Sequence, residues 1–129
     1  MKGYVEDIQD LTVSNDDYRR VLYTGKHLQL VLMALEPGEE IGEEVHETHD
    51  QFFRIEAGEG EVVIDGVRHE IQDDDAVIVP AGARHNVINT GSEPLKLYTL
   101  YGPPEHRDGV RQPTKADERE EHFDGRTTE

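Results

Sequence analysis

Residues 38–58 read GEEIGEEVHETHDQFFRIEAG, and residues 74–89 read DDAVIVPAGARHNVIN. The first stretch has five spaced positions: Gly38, Glu44, His46, Gln51 and Gly58. The second has five of its own: Asp74, Pro80, Gly82, His85 and Asn89. Both stretches set carboxylate, imidazole and amide side chains among apolar runs. Nitrogen and oxygen donors of these kinds are the ones that bind divalent cations.

The apolar pattern around these stretches is typical of many short strands. The predicted strands cover residues 21–23, 28–35, 52–57, 61–64, 67–69, 76–79, 87–88 and 95–101. Asp65-Gly66 separates two of them and is a strong hairpin signal. Short strands at regular spacing, divided by Gly and Pro turns, predict an all-β fold, an antiparallel sandwich or barrel.

The two spaced motifs resemble those of the cupin superfamily, and the chain is similar to small single-domain cupins of the cupin-2 type. This resemblance implies a jelly-roll barrel, the double-stranded β-helix, that holds one divalent metal ion. It places Glu44, His46, Gln51 and His85 on the four ligand positions of the family. The usual set is three histidines and one glutamate. Here Glu44 replaces the first histidine, Gln51 replaces the glutamate, and Asp74 replaces a glycine.

The residues themselves agree with a metal site. Side chains alternate along a strand, so Glu44 and His46 point to the same face. Two imidazoles, one amide and one carboxylate give a divalent site the same net charge as the usual ligand set. With one imidazole fewer, however, the ligands are richer in oxygen and harder in the acid–base sense. This favours manganese or iron, with zinc and nickel as alternatives. The other interpretation is a metal-free barrel in which Glu44 and Gln51 are polar edge residues, although burying them unpaired would be costly.

Two further residues are candidates for catalysis. His49 lies three residues after His46, so it faces away on a continuous strand but can approach the metal from a loop. There it could serve as a general base, the alternative being a solvated loop histidine. Tyr98 and Tyr101 face opposite sides of the last predicted strand, and one of them is expected to point inward. We select Tyr98 as the candidate, with core packing as the commoner role.

The charge excludes some classes of partner. The chain has 129 residues and no cysteine, and its 29 acidic against 13 basic residues give a net charge of −16. Nucleic acid and membranes are therefore not expected partners, since phosphate binding needs clustered Lys and Arg. We expect a cytoplasmic protein that binds a small molecule. We also expect a homodimer, because small barrels expose edge strands.

The flanks are polar, and their pattern predicts less regular structure. We expect a single domain over residues 1–129, with the core barrel at about 20–102 and a polar surface tail at 103–129. Tyr4, Val5 and Ile8 could add an edge strand, and residues 115–122 could form a short polar helix.

Two functions remain open at this point. The first is a metal-dependent enzyme that acts on a small polar substrate, such as a sugar or a carboxylic acid, with lyase, isomerase or dioxygenase chemistry. The second is a non-catalytic module that binds a small ligand. No P-loop, dinucleotide fingerprint or nucleophile elbow occurs, so nucleotide and triad chemistry have no support. The fold alone cannot choose between the two functions.

Overall fold

The structure, a computed structural model, describes all residues from Met1 to Glu129. It contains one short α-helix, α1 (Ile8–Ser14), and ten strands. The strands are β1 (Arg19–Thr24), β2 (Gln29–Leu35), β3 (Glu44–Val45), β4 (Asp50–Ala57), β5 (Glu59–Ile64), β6 (Val67–Gln72), β7 (Ala76–Val79), β8 (Arg84–Ile88), β9 (Leu95–Gly102) and β10 (Arg111–Gln112). The all-β prediction is confirmed. The helix is too short and too polar to cross a membrane.

Two antiparallel sheets form the barrel. The larger sheet has the strand order β10-β1-β2-β9-β4-β7, and the smaller has the order β3-β8-β5-β6. β5 and β6 form the predicted hairpin at Asp65-Gly66, where φ is 47° and 82°. Positive φ at both central residues is what a tight hairpin turn requires. The sheets enclose one apolar core that includes Phe53, Ile55 and Leu97.

The inward-facing side chains of the large sheet change from polar to apolar along the strands. At one end, Gln29 on β2 pairs with Tyr101 on β9, which in turn pairs with Gln51 on β4. Four residues further along the sheet, Met33 pairs with Leu97, and Leu97 pairs with Ile55. All of these side chains are buried. The barrel interior therefore has a polar end and an apolar end.

Four positions of the spaced motifs have positive φ: Gly38, Gly58, Asp74 and Gly82. Gly58 has φ 90°, and a Cβ there would lie 2.6 Å from the carbonyl oxygen of Pro94. Only glycine fits such a position. Asp74 has φ 74°, and its N–H donates to the carbonyl of Ile55 at 2.8 Å. Aspartate tolerates this left-handed conformation better than most residues, which explains how it can replace a glycine.

The prediction of an edge strand near the N-terminus was wrong. Ile8 begins a helix instead, and the Asp7 side chain caps it by accepting from the N–H of Asp10 at 3.1 Å. Thr12 is fully buried, and the helix contacts β4 and β9 on the outside of the large sheet. Tyr4 and Val5 are exposed. A seven-residue helix shows too little periodicity to be recognised among polar residues.

Residues 103–129, the C-terminal segment, are mostly exposed but pack against the barrel. β10 adds to the large sheet beside β1, and both Val110 and Gln112 are buried. The fully buried side chain of Gln29 holds the start of this segment, because its Oε1 accepts from the N–H groups of Glu105 and His106 at 3.2 and 3.0 Å. Its Nε2 donates to the carbonyl of His106 at 2.7 Å. Of the expected helix at 115–122, only a 3₁₀ turn at Lys115–Asp117 is present.

Candidate metal centre

Three of the predicted ligands meet at the polar end of the barrel. Glu44 on β3 lies directly opposite His85 on β8 in the small sheet, and His46 follows the end of β3. One donor atom from each of Glu44, His46 and His85 lies within 4.8 Å of the other two. The Nε2 of His46 is 3.1 Å from the Oε2 of Glu44. Donors this close to one another can share a single cation.

Gln51, the fourth predicted ligand, is buried on β4 at the same end. Its Nε2 donates to the Oγ1 of Thr99 at 3.1 Å, whereas its Oε1 has no hydrogen-bond partner. Gln51 pairs with Tyr101, whose ring centroid lies 5.8 Å from that of His46. A buried oxygen without a donor is unfavourable unless something else binds it. This orphaned oxygen fits a cation held with the neighbouring carboxylate and imidazoles.

The pKa shifts of Glu44 and His85 favour cation binding, whereas that of His46 opposes it. Burial raises the pKa of Glu44, but the hydrogen bond and charge of His46 outweigh it, so the net pKa is lowered. The same hydrogen bond raises the pKa of His46. Burial lowers the pKa of His85, whose Nδ1 donates to the carbonyl of Ala83 at 3.2 Å. A neutral His85 with its proton on Nδ1 leaves the Nε2 lone pair available to a metal.

A cavity of about 470 Å³ borders the site. The barrel contributes Arg19, Glu44 and His46 to its lining, and the C-terminal segment contributes Glu105, His106 and His122. The volume suits a small molecule. Both the barrel and the segment that covers it therefore shape this space.

The carboxylate of Glu105 stands at the centre of three imidazoles over this cavity. Its oxygens lie 3.6 Å from His46 Nδ1, 3.3 Å from His49 Nε2 and 3.5 Å from His122 Nδ1. The carboxylate is mostly buried, with 15% of its side chain exposed. His49 also donates from Nε2 to the carbonyl of Pro104 at 3.0 Å. His49 therefore contacts the covering segment and does not join the group of three donors.

A comparison with protein families identifies the fold. The cupin domain family model, Cupin_2, matches residues 31–101, which is more than half of the chain. The chain belongs to the cupin family. The matched region contains Glu44, His46, Gln51 and His85, and it ends before Glu105.

Several relatives are similar to this cupin. The uncharacterised protein YrkC of Bacillus subtilis is 48% identical over 122 residues, covering 90% of this chain and 66% of its own length. The crystal structure of BH2720 from Bacillus halodurans is 45% identical, with a TM-score of 0.88, and covers 90% of this chain and 92% of its own. A predicted oxalate decarboxylase from Thermotoga maritima is 27% identical, with a TM-score of 0.58, and covers 60% of this chain and 68% of its own.

The structure does not bring Tyr98 into the site of this cupin. Tyr98 lies on the outer face of β9, where its ring packs 6.2 Å from that of Phe52. Side chains alternate, so Tyr101 is the one that points inward, as its burial shows. The hydroxyl of Tyr101 lies 3.3 Å from the Nε2 of His106. Burial lowers the pKa of His106 to about 3, so this ring is neutral.

Two residues of the cupin site were not identified from the sequence. Arg19 could have been found, because alternation places it on the same face of β1 as the buried Val21. Glu105 could not have been found. It lies in a polar segment with no periodicity, and only the tertiary contacts of that segment bring it to the cavity.

Proposed function

We propose that this cupin is a divalent-metal-dependent enzyme that acts on a small polar substrate. In this proposal Glu44, His46, Gln51 and His85 hold the metal. The observation that carries it is the convergence of one carboxylate and two imidazoles within 4.8 Å, at the end of the barrel where the oxygen of Gln51 is buried and unpartnered. A cavity of small-molecule size adjoins them.

The donor set suits manganese or iron best, with zinc and nickel as alternatives. Two oxygen and two nitrogen donors make a harder site than three histidines and a glutamate do. The residues behind the donors support this arrangement. Thr99 orients the amide of Gln51, and the carbonyl of Ala83 orients the ring of His85. Such second-layer contacts fix a ligand's orientation and raise metal affinity.

A bound divalent ion would supply Lewis-acid polarisation of a substrate oxygen, or electron transfer if the ion is redox-active. The chain itself supplies groups that bind and move protons. His49 and the carboxylate of Glu105 lie 3.3 Å apart at the cavity, close enough to exchange a proton. The neutral His106 fixes the hydroxyl of Tyr101 inside the barrel. The covering segment limits the access of water to these groups.

The reaction classes that suit such a site are lyase, isomerase and dioxygenase chemistry on a sugar or carboxylic acid. Similarity to a predicted oxalate decarboxylase supports an acid substrate, although that protein is only 27% identical. A non-catalytic ligand-binding cupin is the second candidate. The contacts of Glu105 with His46 and His49 favour it, because they hold the covering segment against the barrel beside the cavity.

The partner of this cupin in the cell is proposed to be a small molecule and not nucleic acid or a membrane. The expected cytoplasmic location stays a prediction. A homodimer is also proposed. Val67 on β6 and Ile78 on β7 are 57% and 68% exposed, and each lies on an edge strand of its sheet. Light scattering coupled to size-exclusion chromatography should give the mass of a dimer, and a monomeric mass at all concentrations would contradict it.

The proposed function is tested by the metal content of protein purified without a chelating tag. We expect about one manganese or iron per chain by mass spectrometry. We expect its loss in His85→Ala and its retention in His69→Ala, a control at an exposed position of β6. Metal-loaded protein is then screened against sugars and carboxylic acids, with and without oxygen. If the unmutated protein binds no stoichiometric divalent metal even after reloading, the proposal is wrong. Metal without turnover of any substrate would favour the binding module.

A further inference from the structure

Arg19 is a buried cation at the cavity to which the proposed function gives no role. It lies on β1, only 3% exposed, and it lines the same cavity as Glu44 and His46. Its guanidinium stacks over the ring of Tyr18, with Cζ 5.2 Å from the ring centroid. Burying an arginine is costly unless its charge and donors are matched. The position of Arg19 therefore requires an explanation.

Only one of the three nitrogens of Arg19 is hydrogen-bonded. Its Nη1 donates to the Oε1 of Gln112 at 2.8 Å and to the Oε2 of Glu118 at 3.1 Å. The Nε is buried and has no partner. Nη2 makes no hydrogen bond either. The side of the guanidinium that presents Nε and Nη2 together is thus without an acceptor, while the opposite nitrogen is fixed in place.

We propose that the Nε and Nη2 edge of Arg19 binds the carboxylate of the substrate, so that the cupin takes a small monocarboxylic acid. This rests on the proposed function, in which a bound metal would polarise another oxygen of the same molecule. Two parallel N–H donors in a plane match the two oxygens of a carboxylate. A sugar hydroxyl offers a single acceptor oxygen and would leave one of the two donors unmatched.

The charges around the cavity restrict the substrate to one negative charge. Glu118 already neutralises Arg19 in part through their contact at 3.1 Å. Glu105 and Glu120 also line the cavity, so a polyanion would meet carboxylates once its first acid group had bound Arg19. A substrate with one carboxylate and a neutral oxygen group beside it avoids this repulsion. α-Hydroxy monoacids have this chemistry.

The probe for this inference is glycolate, compared with its neutral analogue glycolamide. Calorimetric titration measures Mn²⁺ binding first, and then the binding of each probe to the Mn²⁺-loaded protein. We expect glycolate to bind at least about tenfold more tightly than glycolamide, since a charge-assisted pair is lost in the amide. We expect Arg19→Lys to lose about tenfold or more of glycolate affinity while keeping Mn²⁺ affinity. Arg20→Lys, at the next and outward-facing position of β1, should change neither.

A second measurement requires no substitution, which matters because Arg19→Lys also loses contacts with Gln112 and Glu118. The Nε–H resonance of Arg19 in the unmutated protein, loaded with diamagnetic Zn²⁺, should shift on addition of glycolate and not of glycolamide. If Mn²⁺ binds but glycolate neither moves this resonance nor loses affinity in Arg19→Lys, the inference is wrong and the proposed function stands. If Mn²⁺ does not bind, the proposed function fails. A shift with glycolate alone would then still support Arg19 as a carboxylate site.

Discussion

The polar and apolar ends of the barrel interior are built from the same strands and are buried to a similar degree. On β9, Tyr101 and Thr99 face inward at the polar end, and Leu97 and Leu95 face inward at the apolar end. Each apolar side chain contacts others of its kind and stabilises the fold through burial. Each polar one needs a specific partner. The apolar end therefore holds the barrel together, and the polar end positions donor atoms.

This division explains why unsatisfied atoms occur where they do. Among the buried side chains of the barrel interior, the orphaned atoms are Gln51 Oε1 and Arg19 Nε, both at the polar end. Folding alone does not require either of them to be unpartnered. Local violations of packing rules are expected at functional sites, because there the missing partner is a ligand.

The largest effect on folding is expected at the apolar end. Leu97 is completely buried between Met33 and Ile55. Leu97→Ala should lower the free energy of unfolding by about 2–5 kcal/mol, because it removes apolar contacts and leaves a cavity. Urea denaturation measures the change. Val5→Ala, at a position that is 94% exposed, is the control and should stay within about 0.5 kcal/mol. Equal losses in the two variants would refute the assignment of the core.

A smaller loss of global stability than in Leu97→Ala is expected when the contact between the polar end and the C-terminal segment is removed. Gln29→Leu keeps the volume but removes the partners of Glu105 N–H, His106 N–H and the His106 carbonyl. Each buried group left unpaired costs about 1–3 kcal/mol, so the segment should open locally instead. Hydrogen exchange at the amides of Glu105 and His106 should accelerate strongly. Gln72→Leu, on the exposed face of β6, should leave both amides protected. Unchanged exchange in Gln29→Leu would show that other contacts hold the segment.

Thr99→Val tests the polar end without removing a proposed ligand. The hydroxyl of Thr99 accepts from the amide of Gln51 and orients its oxygen. Its loss should weaken Mn²⁺ binding by about 10–100-fold, the usual effect of removing a contact behind a ligand. Calorimetric titration measures it, with thermal unfolding as the check that the barrel remains intact. If affinity is unchanged, Gln51 does not bind the metal.

The pH dependence of Mn²⁺ affinity separates the two histidines. Glu44 raises the pKa of His46, so a proton competes with the metal there, whereas burial lowers the pKa of His85 and leaves it neutral. Below the raised pKa of His46, affinity should fall about tenfold per pH unit, with one proton released on binding. In the metal-free protein, the contact between Glu44 and protonated His46 stabilises the fold at low pH. This contribution to the free energy of unfolding is lost as the pH rises through the raised pKa of His46. Calorimetry in buffers of different ionisation enthalpy counts the protons. Release of two would mean that His85 is also protonated.

The apolar end could be predicted from the sequence more completely than the polar end. Strand periodicity and the Asp65-Gly66 turn are sufficient to predict the all-β fold. The spacing of the motifs predicts that Glu44, His46 and His85 lie close together. Periodicity cannot show which polar residue faces inward when both faces of a strand are partly buried, so Tyr98 was chosen over Tyr101. Periodicity also cannot show that a polar segment folds back onto the barrel. Glu105 reaches the cavity only because the C-terminal segment does so.

The proposed metal site at the polar end consists of Glu44, His46, Gln51 and His85. The most direct measurement is a crystal structure of the tag-free protein soaked in Mn²⁺, with an anomalous difference map collected for manganese. We expect a single strong peak in coordination contact with the carboxylate of Glu44, one nitrogen from each of His46 and His85, and Gln51 Oε1. A map with no peak among these atoms at saturating Mn²⁺ would contradict the proposed site.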